Sequence, residues 1–231
     1  MPTHANALAI MAKAPIAGSV KTRLVPPLTL EQAAALYRAL LLDQLEQLRQ
    51  VGGAARYVFY APADAENMLR ELGGADYAYR AQRGGDLGAR MAQVFADLWR
   101  LGHRSIVLIG SDLPALPLEI LREAFTRLAT AEHRVVVGPS RDGGYYLIGM
   151  NQATPEVFAN MTWSHERVLA DTTARLDRLG LSYSMLPTWF DLDVAEDFQR
   201  LAALAETESR SALSRTLACL ETLVFWPASK V

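Results

Sequence analysis

The sequence predicts an α/β fold with three layers, α/β/α, around a mostly parallel mixed sheet. Apolar runs of strand length alternate with amphipathic segments of helix length along most of the 231 residues, the pattern of parallel strands joined by helical crossovers. Residues 105–109, SIVLI, are apolar without alternation, as a central strand covered on both faces requires. A stretch dense in turn formers, residues 139–144, runs straight into a second apolar segment at 145–150. That implies a hairpin, and hence one antiparallel strand.

The elements follow in order. A first strand at 7–12 leads into a loop rich in Pro, Gly and Lys, and Thr29 with Gln32 forms a capping box that opens a helix to about Gln50. A strand at 56–60, a helix at 64–72, a strand at 76–80 and a helix at 86–101 keep the βαβ rhythm. Pro117 starts a helix that ends near Ala129, and residues 134–137 form the first arm of the hairpin. Ser164 is placed to cap a helix reaching Leu179, residues 181–186 form a last strand, and Asp193 caps a helix from Val194. The expected organisation is a single domain over 1–231 with a helical tail at about 206–226, where Leu213, Leu217, Leu220 and Val224 recur at helical spacing and pack on the core.

Composition narrows the function classes. The formal charge is -2 with 21% charged residues, which gives no overall attraction to nucleic acid or to anionic lipid, so a basic site has to be local. One cysteine, Cys219, forms no internal disulfide. The first residues lack a signal peptide's charged start and apolar run, and no segment reaches the roughly 20 apolar residues of a membrane span. These observations predict a cytoplasmic protein that neither spans a membrane nor binds nucleic acid, with homo-oligomerisation left open.

The local basic site is the loop after the first strand. Lys13, Lys21 and Arg23 lie there with Pro15 and Gly18, and no Asp or Glu occurs among the first 30 residues. In an open α/β sheet ligands bind beyond the carboxyl ends of the strands, so three uncompensated cations at this point suit a polyphosphate. The loop is not a P-loop, because Ala14 and Pro15 stand where that motif needs its first glycine. Gly85 and Gly88 do not make a dinucleotide fingerprint either, since Arg83 falls on its first glycine.

The candidate acids are four. Asp112 follows the central strand immediately, and a divalent cation bridging it to a nucleotide's phosphates gives that charge a partner. Asp193 forms a capping box with Glu196, so spacing leaves it between helix cap and metal ligand. Asp142, in RDGGYY, is either a turn residue or a group in the pocket. Asp86 caps a helix or meets the base or ribose. His165, at a helix start with Trp163 and Ser164, is given no role.

Five motifs stand in order along residues 7–201: KAPIAGSVKTRL, GGDLGARM, GSDLP, DGGYYLIG and DLDVAED. Together they resemble the DUF2064 family of GT-A-type, nucleotide-diphospho-sugar-transferase-like proteins. The resemblance implies a GT-A fold, a nucleotide at the first-strand loop, and a divalent cation, Mg²⁺ or Mn²⁺, at Asp112 with Asp193. Nucleotide and phosphate contacts fall to Lys13, Gly18, Lys21, Arg23 and Asp86, and catalytic roles to Asp142 and Lys21. The chain has Ile16-Ala17 and Val194-Ala195 where the family tends to have Pro-Gly and Thr-Pro, and the second difference bears on Asp193. Some members are described as glycosyltransferases, and the basic loop also resembles that of 2-phospholactate and molybdopterin guanylyltransferases.

Two reactions follow from this reading. The first expectation is metal-dependent glycosyl transfer from a nucleotide-sugar donor to a small-molecule acceptor, with the loop cations stabilising the departing diphosphate and Asp142 or Asp193 orienting or deprotonating the acceptor. The second is nucleotidyl transfer, in which a phosphate or carboxylate attacks a nucleoside triphosphate and the same cations hold pyrophosphate. A non-catalytic nucleotide-binding module is the third.

Overall fold

A computed structural model describes residues 4–223 apart from 131 and 133. Seven strands form one sheet in the order β3-β2-β1-β4-β6-β5-β7. They are β1 (Asn6–Lys13), β2 (Ala54–Ala61), β3 (Ala78–Ala81), β4 (Ser105–Gly110), β5 (Val135–Pro139), β6 (Tyr145–Met150) and β7 (Tyr183–Met185). All neighbouring pairs are parallel except those made by β6, which runs antiparallel to β4 and to β5. The expected hairpin is therefore present, and β7 closes the far edge parallel to β5.

Seven α-helices complete the chain: α1 (Leu30–Leu48), α2 (Glu66–Gly73), α3 (Leu87–Arg100), α4 (Leu118–Leu128), α5 (Val168–Arg178), α6 (Asp197–Ala205) and α7 (Ser214–Glu221). None among the described residues is long and apolar enough to cross a membrane. One apolar cluster joins one face of the sheet to α1, α2 and α4 through Leu8, Ile10, Leu41, Val58, Leu69, Val107 and Leu121. The other face meets α3 through Ala7, Ala9, Phe59, Phe95, Leu98 and Ile106. The strands β1 and β4 alternate between the two clusters, residue by residue. This is why their sequences read as unbroken apolar runs.

The order places β1 at the middle of a doubly wound arrangement. The crossover through α1 carries the chain to β2 on one side, whereas β4 lies on the other side of β1. The crevice beyond the carboxyl ends of β1 and β4 is then a switch point, where two crossovers leave in opposite directions and leave room for a ligand.

Three local expectations are corrected. Ser164 does not cap a helix: it sits in a turn with φ +64°, and α5 begins only at Val168 behind Arg167. Asp193 does not cap one either. It is Asp197, the first residue of α6, whose carboxylate accepts the N–H groups of Asp193 and Val194, each at 2.9 Å. The acid that satisfies the amides stands inside the helix rather than before it, so the capping box with Glu196 is absent. The capping box at Thr29 and Gln32 is present.

The tail packs as expected. Leu213, Leu217 and Leu220 are buried against Leu36 and Leu40 of α1, while Val224 lies outside the described residues. Asp43 of α1 fixes this helix in place: it accepts from both main-chain N–H groups at Arg215 and Thr216, at 3.1 and 2.8 Å. Its carboxylate thereby satisfies the open first turn of α7 from across the core.

Candidate active site at the carboxyl ends of the central strands

The loop after β1 is built to bury one cation. Val20 and Leu24 are buried on either side of Lys21. Lys21 itself takes φ +50° and precedes a 3₁₀ turn, Thr22–Leu24, whose last N–H donates to its carbonyl at 2.9 Å. A left-handed conformation costs a non-glycine residue of order 1 kcal/mol. Here it turns the lysine inward, leaving the side chain 3% exposed. Its Nζ stands 3.0 Å from Asp112 Oδ2 and 3.7 Å from Asp193 Oδ1. Neither approach has hydrogen-bond geometry, so the ammonium is neutralised by charge while its protons are aligned on no described acceptor. The exposed Arg23 donates to the other oxygen of Asp193 at 2.6 Å.

The second half of the site hangs from β4 and from the segment before α6. Asp112 follows Ser111, and its carbonyl accepts from Leu192 N at 2.9 Å, which ties the two acidic loops together. Tyr37 of α1 stands under both strand ends: its hydroxyl accepts from Lys13 N at 3.0 Å and bonds Ser111 Oγ at 2.8 Å. Gln44, two turns along α1, donates to Gly110 O at 2.9 Å. The helix that crosses from β1 to β2 therefore sets the height of both loops relative to the sheet.

These residues line one cleft of about 820 Å³. Lys13, Lys21, Arg23, Asp112, Asp142 and Asp193 all face it. Two expected contacts do not. Gly18 turns the loop with φ +79° and Asp86 caps α3, accepting from Ala89 N at 2.7 Å, but neither lines the cleft. Asp142 serves both of its readings, accepting from Gly144 N at 3.0 Å while bordering the cavity.

Sequence reasoning gave no role to Asp191. Its carboxyl lines the cleft, accepts a short hydrogen bond from Ser140 Oγ, and is pushed up to about 7 by burial first, then by the nearby charges of Asp112 and Asp142, against the opposing pull of the Ser140 bond and Lys21. The signal was the spacing D-L-D: in an extended segment residues two apart point the same way, so Asp191 follows Asp193 into the cleft while Leu192 is buried in the core. Gly88, set aside as a failed fingerprint, has a packing role. A Cβ there would meet the Trp163 indole at 2.6 Å, so the glycine is what lets that ring lie on the first turn of α3 at the cleft wall.

The donor set suits a hard divalent cation in part. Asp112 and Asp193 offer carboxylate oxygens within 4 Å of one cationic atom, Lys21 Nζ, and oxygen ligands are what Mg²⁺ and Mn²⁺ prefer. No group of three or more His, Cys, Asp or Glu side chains among the described residues is placed to enclose a metal. A cation bound here takes its remaining ligands from phosphate and water, the usual habit of Mg²⁺.

An α/β/α fold with a mixed seven-stranded sheet, and a basic loop facing acids across the central crevice, defines the GT-A class of nucleotide-diphospho-sugar transferase-like proteins. The chain belongs to the DUF2064 family, described as an uncharacterised protein family conserved in bacteria, whose model matches residues 44–165. It is 30% identical over 191 residues to the 3-phospho-D-glycerate guanylyltransferase of Phenylobacterium zucineum, covering 79% of this chain and 84% of that one. A solved structure from Desulfovibrio desulfuricans, assigned to the nucleotide-diphospho-sugar transferases, superposes with a TM-score of 0.83 at 30% identity, over 95% of this chain and 98% of that chain. A cytidylyltransferase of Leptospira borgpetersenii shares the fold at 12% identity, with a TM-score of 0.61 and 94% of each chain covered. These relatives and the protein itself are enzymes of the transferase class.

Proposed function

We propose that the protein is a nucleotidyltransferase, joining the nucleoside monophosphate of a nucleoside triphosphate, GTP first, to a small phosphorylated acid. The observation that carries this reading is the buried Lys21 ammonium, its protons unaligned, beside Arg23 at the switch-point crevice. A charge held there without hydrogen-bond partners of its own is ready to receive the oxygens of a departing pyrophosphate. Similarity to the 3-phospho-D-glycerate guanylyltransferase over most of both chains supports the same reaction.

In this reaction an oxygen of the acceptor's phosphate or carboxylate attacks the α-phosphorus, the bond from that phosphorus to the bridging oxygen breaks, and pyrophosphate leaves with the electron pair. The nucleophile is already anionic, so no side chain has to remove a proton from it. The protein's work is positioning and charge compensation. Lys21 and Arg23 hold the leaving group, and Lys13 adds positive charge at the end of β1. A divalent cation held by Asp112 and Asp193 supplies further neutralisation of the phosphates when bound. Asp191 and Asp142 border the acceptor end, where their charge repels a misplaced phosphate and favours one that arrives with the cation.

Glycosyl transfer, the first expectation from the sequence, is kept as the second reading because the structural relative at 30% identity carries that assignment. The two readings separate by product. The purified protein is incubated with Mg²⁺ and each of the four nucleoside triphosphates plus 3-phosphoglycerate or a related phosphorylated acid, and separately with nucleotide-sugars. Pyrophosphate release is expected in the first set. Release of nucleoside diphosphate from a sugar donor, with no pyrophosphate from any triphosphate, overturns the proposal.

A further inference from the structure

The cleft has a neutral end that the phosphate and metal chemistry leave unused. Gln82 follows β3 and continues its pairing, donating its main-chain N–H to Tyr60 O at 2.8 Å. Its side chain turns over the carboxyl ends of the neighbouring strands and lines the cleft. There Nε2 donates to two main-chain carbonyls, Phe59 O at 2.9 Å and Ala12 O at 3.2 Å.

Two consequences follow from the inventory of a carboxamide. Both of its N–H donors are used, so the amide has one orientation: a flip would set its oxygen against two carbonyl oxygens. The oxygen Oε1 accepts from no described residue and is not sealed from the cavity. The carbonyls around it are already saturated, by Gln82 itself and, for Ala61 O, by Ala14 N at 2.7 Å. The neutral end of the cleft thus presents one fixed acceptor and no matching donor.

The strand order says what meets it. Lys13, Lys21 and Asp112 lie beyond β1 and β4 at the centre of the sheet, and the acids Asp142 and Asp191 lie toward β6 and β5. Gln82 lies on the opposite side, over β1, β2 and β3. A nucleotide with its phosphates at the centre extends its uncharged part toward one end or the other. The end without carboxylates is the one that accommodates a base.

We infer that Gln82 is a specificity-determining residue that reads the nucleobase through Oε1 and selects guanine. A lone acceptor is served best by a base edge with adjacent donors, and guanine offers N1–H beside its 2-amino group. Adenine sets an acceptor, N1, beside its single amino group, and uracil flanks its one N–H with two carbonyls. Each of these brings an acceptor toward Oε1 along with the donor. The inference rests on the proposal that the cleft takes a nucleotide with its phosphates at the basic loop, but not on which group is then transferred.

The test therefore reads binding rather than turnover. Calorimetric titration of the full chain with GDP, IDP, ADP and UDP in the presence of Mg²⁺ is expected to give GDP about tenfold tighter affinity than IDP, which lacks only the 2-amino group, and a wider gap for ADP. In Gln82→Met the GDP to IDP ratio is expected to fall to within twofold. Equal affinity for GDP and IDP in the unaltered protein overturns the inference, as does an unchanged ratio in the variant. Because IDP changes the ligand and leaves the protein intact, the first comparison stands even if Gln82→Met folds poorly. Failure of all four diphosphates to bind removes the nucleotide reading of the cleft itself, and is distinguishable from loss of selectivity alone.

Discussion

Replacing Lys21 by methionine removes the charge at the centre of the site and keeps the length of the side chain. At an effective dielectric of about 20, a unit charge pair at 3.0 Å is worth about 5.5 kcal/mol, and one at 3.7 Å about 4.5 kcal/mol. Those gross figures overstate the net effect, since the carboxyl side chains of Asp112 and Asp193 are 37% and 40% exposed and recover water when the ammonium leaves. Breaking a fully buried pair costs ~3–5 kcal/mol and an exposed pair at most ~1 kcal/mol, so a loss of about 2 kcal/mol in metal-free stability is expected. Mg²⁺ should restore part of it by taking the place of the ammonium between the carboxylates. Nucleotide affinity should fall by roughly 10- to 100-fold, because a charge-assisted contact to phosphate contributes ~1.5–3 kcal/mol. Urea denaturation with and without Mg²⁺ gives the first quantity, and titration with GTP gives the second. A variant that binds GTP within twofold of the unaltered protein refutes the placement of the phosphates at Lys21.

The other expectations concern separate parts of the molecule. Asp112→Asn should remove the gain in nucleotide affinity that Mg²⁺ provides, and a titration with and without EDTA that shows the same gain in both proteins contradicts its role as a ligand. Gly88→Ala drives a methyl group into the Trp163 indole and should cost ~1–3 kcal/mol, visible in the urea midpoint and in the near-UV tryptophan signal. Asp43→Asn puts an amide among four donors from Arg215 and Thr216 and should cost ~2 kcal/mol in the same midpoint while leaving kcat unchanged. His103 is buried beneath Tyr57, and burial holds its pKa below the ordinary imidazole value near 6.5. The unfolded chain therefore takes up the proton first. The stability this histidine contributes is complete above pH about 6.5 and is lost as the pH falls through its folded pKa, so His103→Gln should narrow the gap between midpoints at pH 7.5 and pH 5.

The element order was legible because each strand has to satisfy two faces at once. The unbroken apolar runs at β1 and β4 report burial on both sides, and the turn residues between β5 and β6 report a hairpin. The boundaries of α5 and α6 were not legible in the same way. Ser164 and Asp193 have the residue types of helix caps, yet the amides near Asp193 are satisfied by Asp197, one turn further on. Residue type names the candidates for a cap, whereas the backbone angle decides which one is used, and that angle is set by packing.

The sequence by itself determined the chemistry available to this protein: a basic loop after the first strand, acids after the strands that follow, and a fold that gathers strand ends at one crevice. These follow from periodicity and from charges that have few alternatives. Only the tertiary structure decided which charges meet. It set Lys21 between Asp112 and Asp193, brought Asp191 into the cleft beside them, left Gly18 and Asp86 outside, and locked the amide of Gln82 over the ends of β1 and β2. The physical reason is range. Periodicity is a property of neighbours along the chain, while a contact across 91 residues, such as Lys21 to Asp112, exists only once the sheet order has closed the distance.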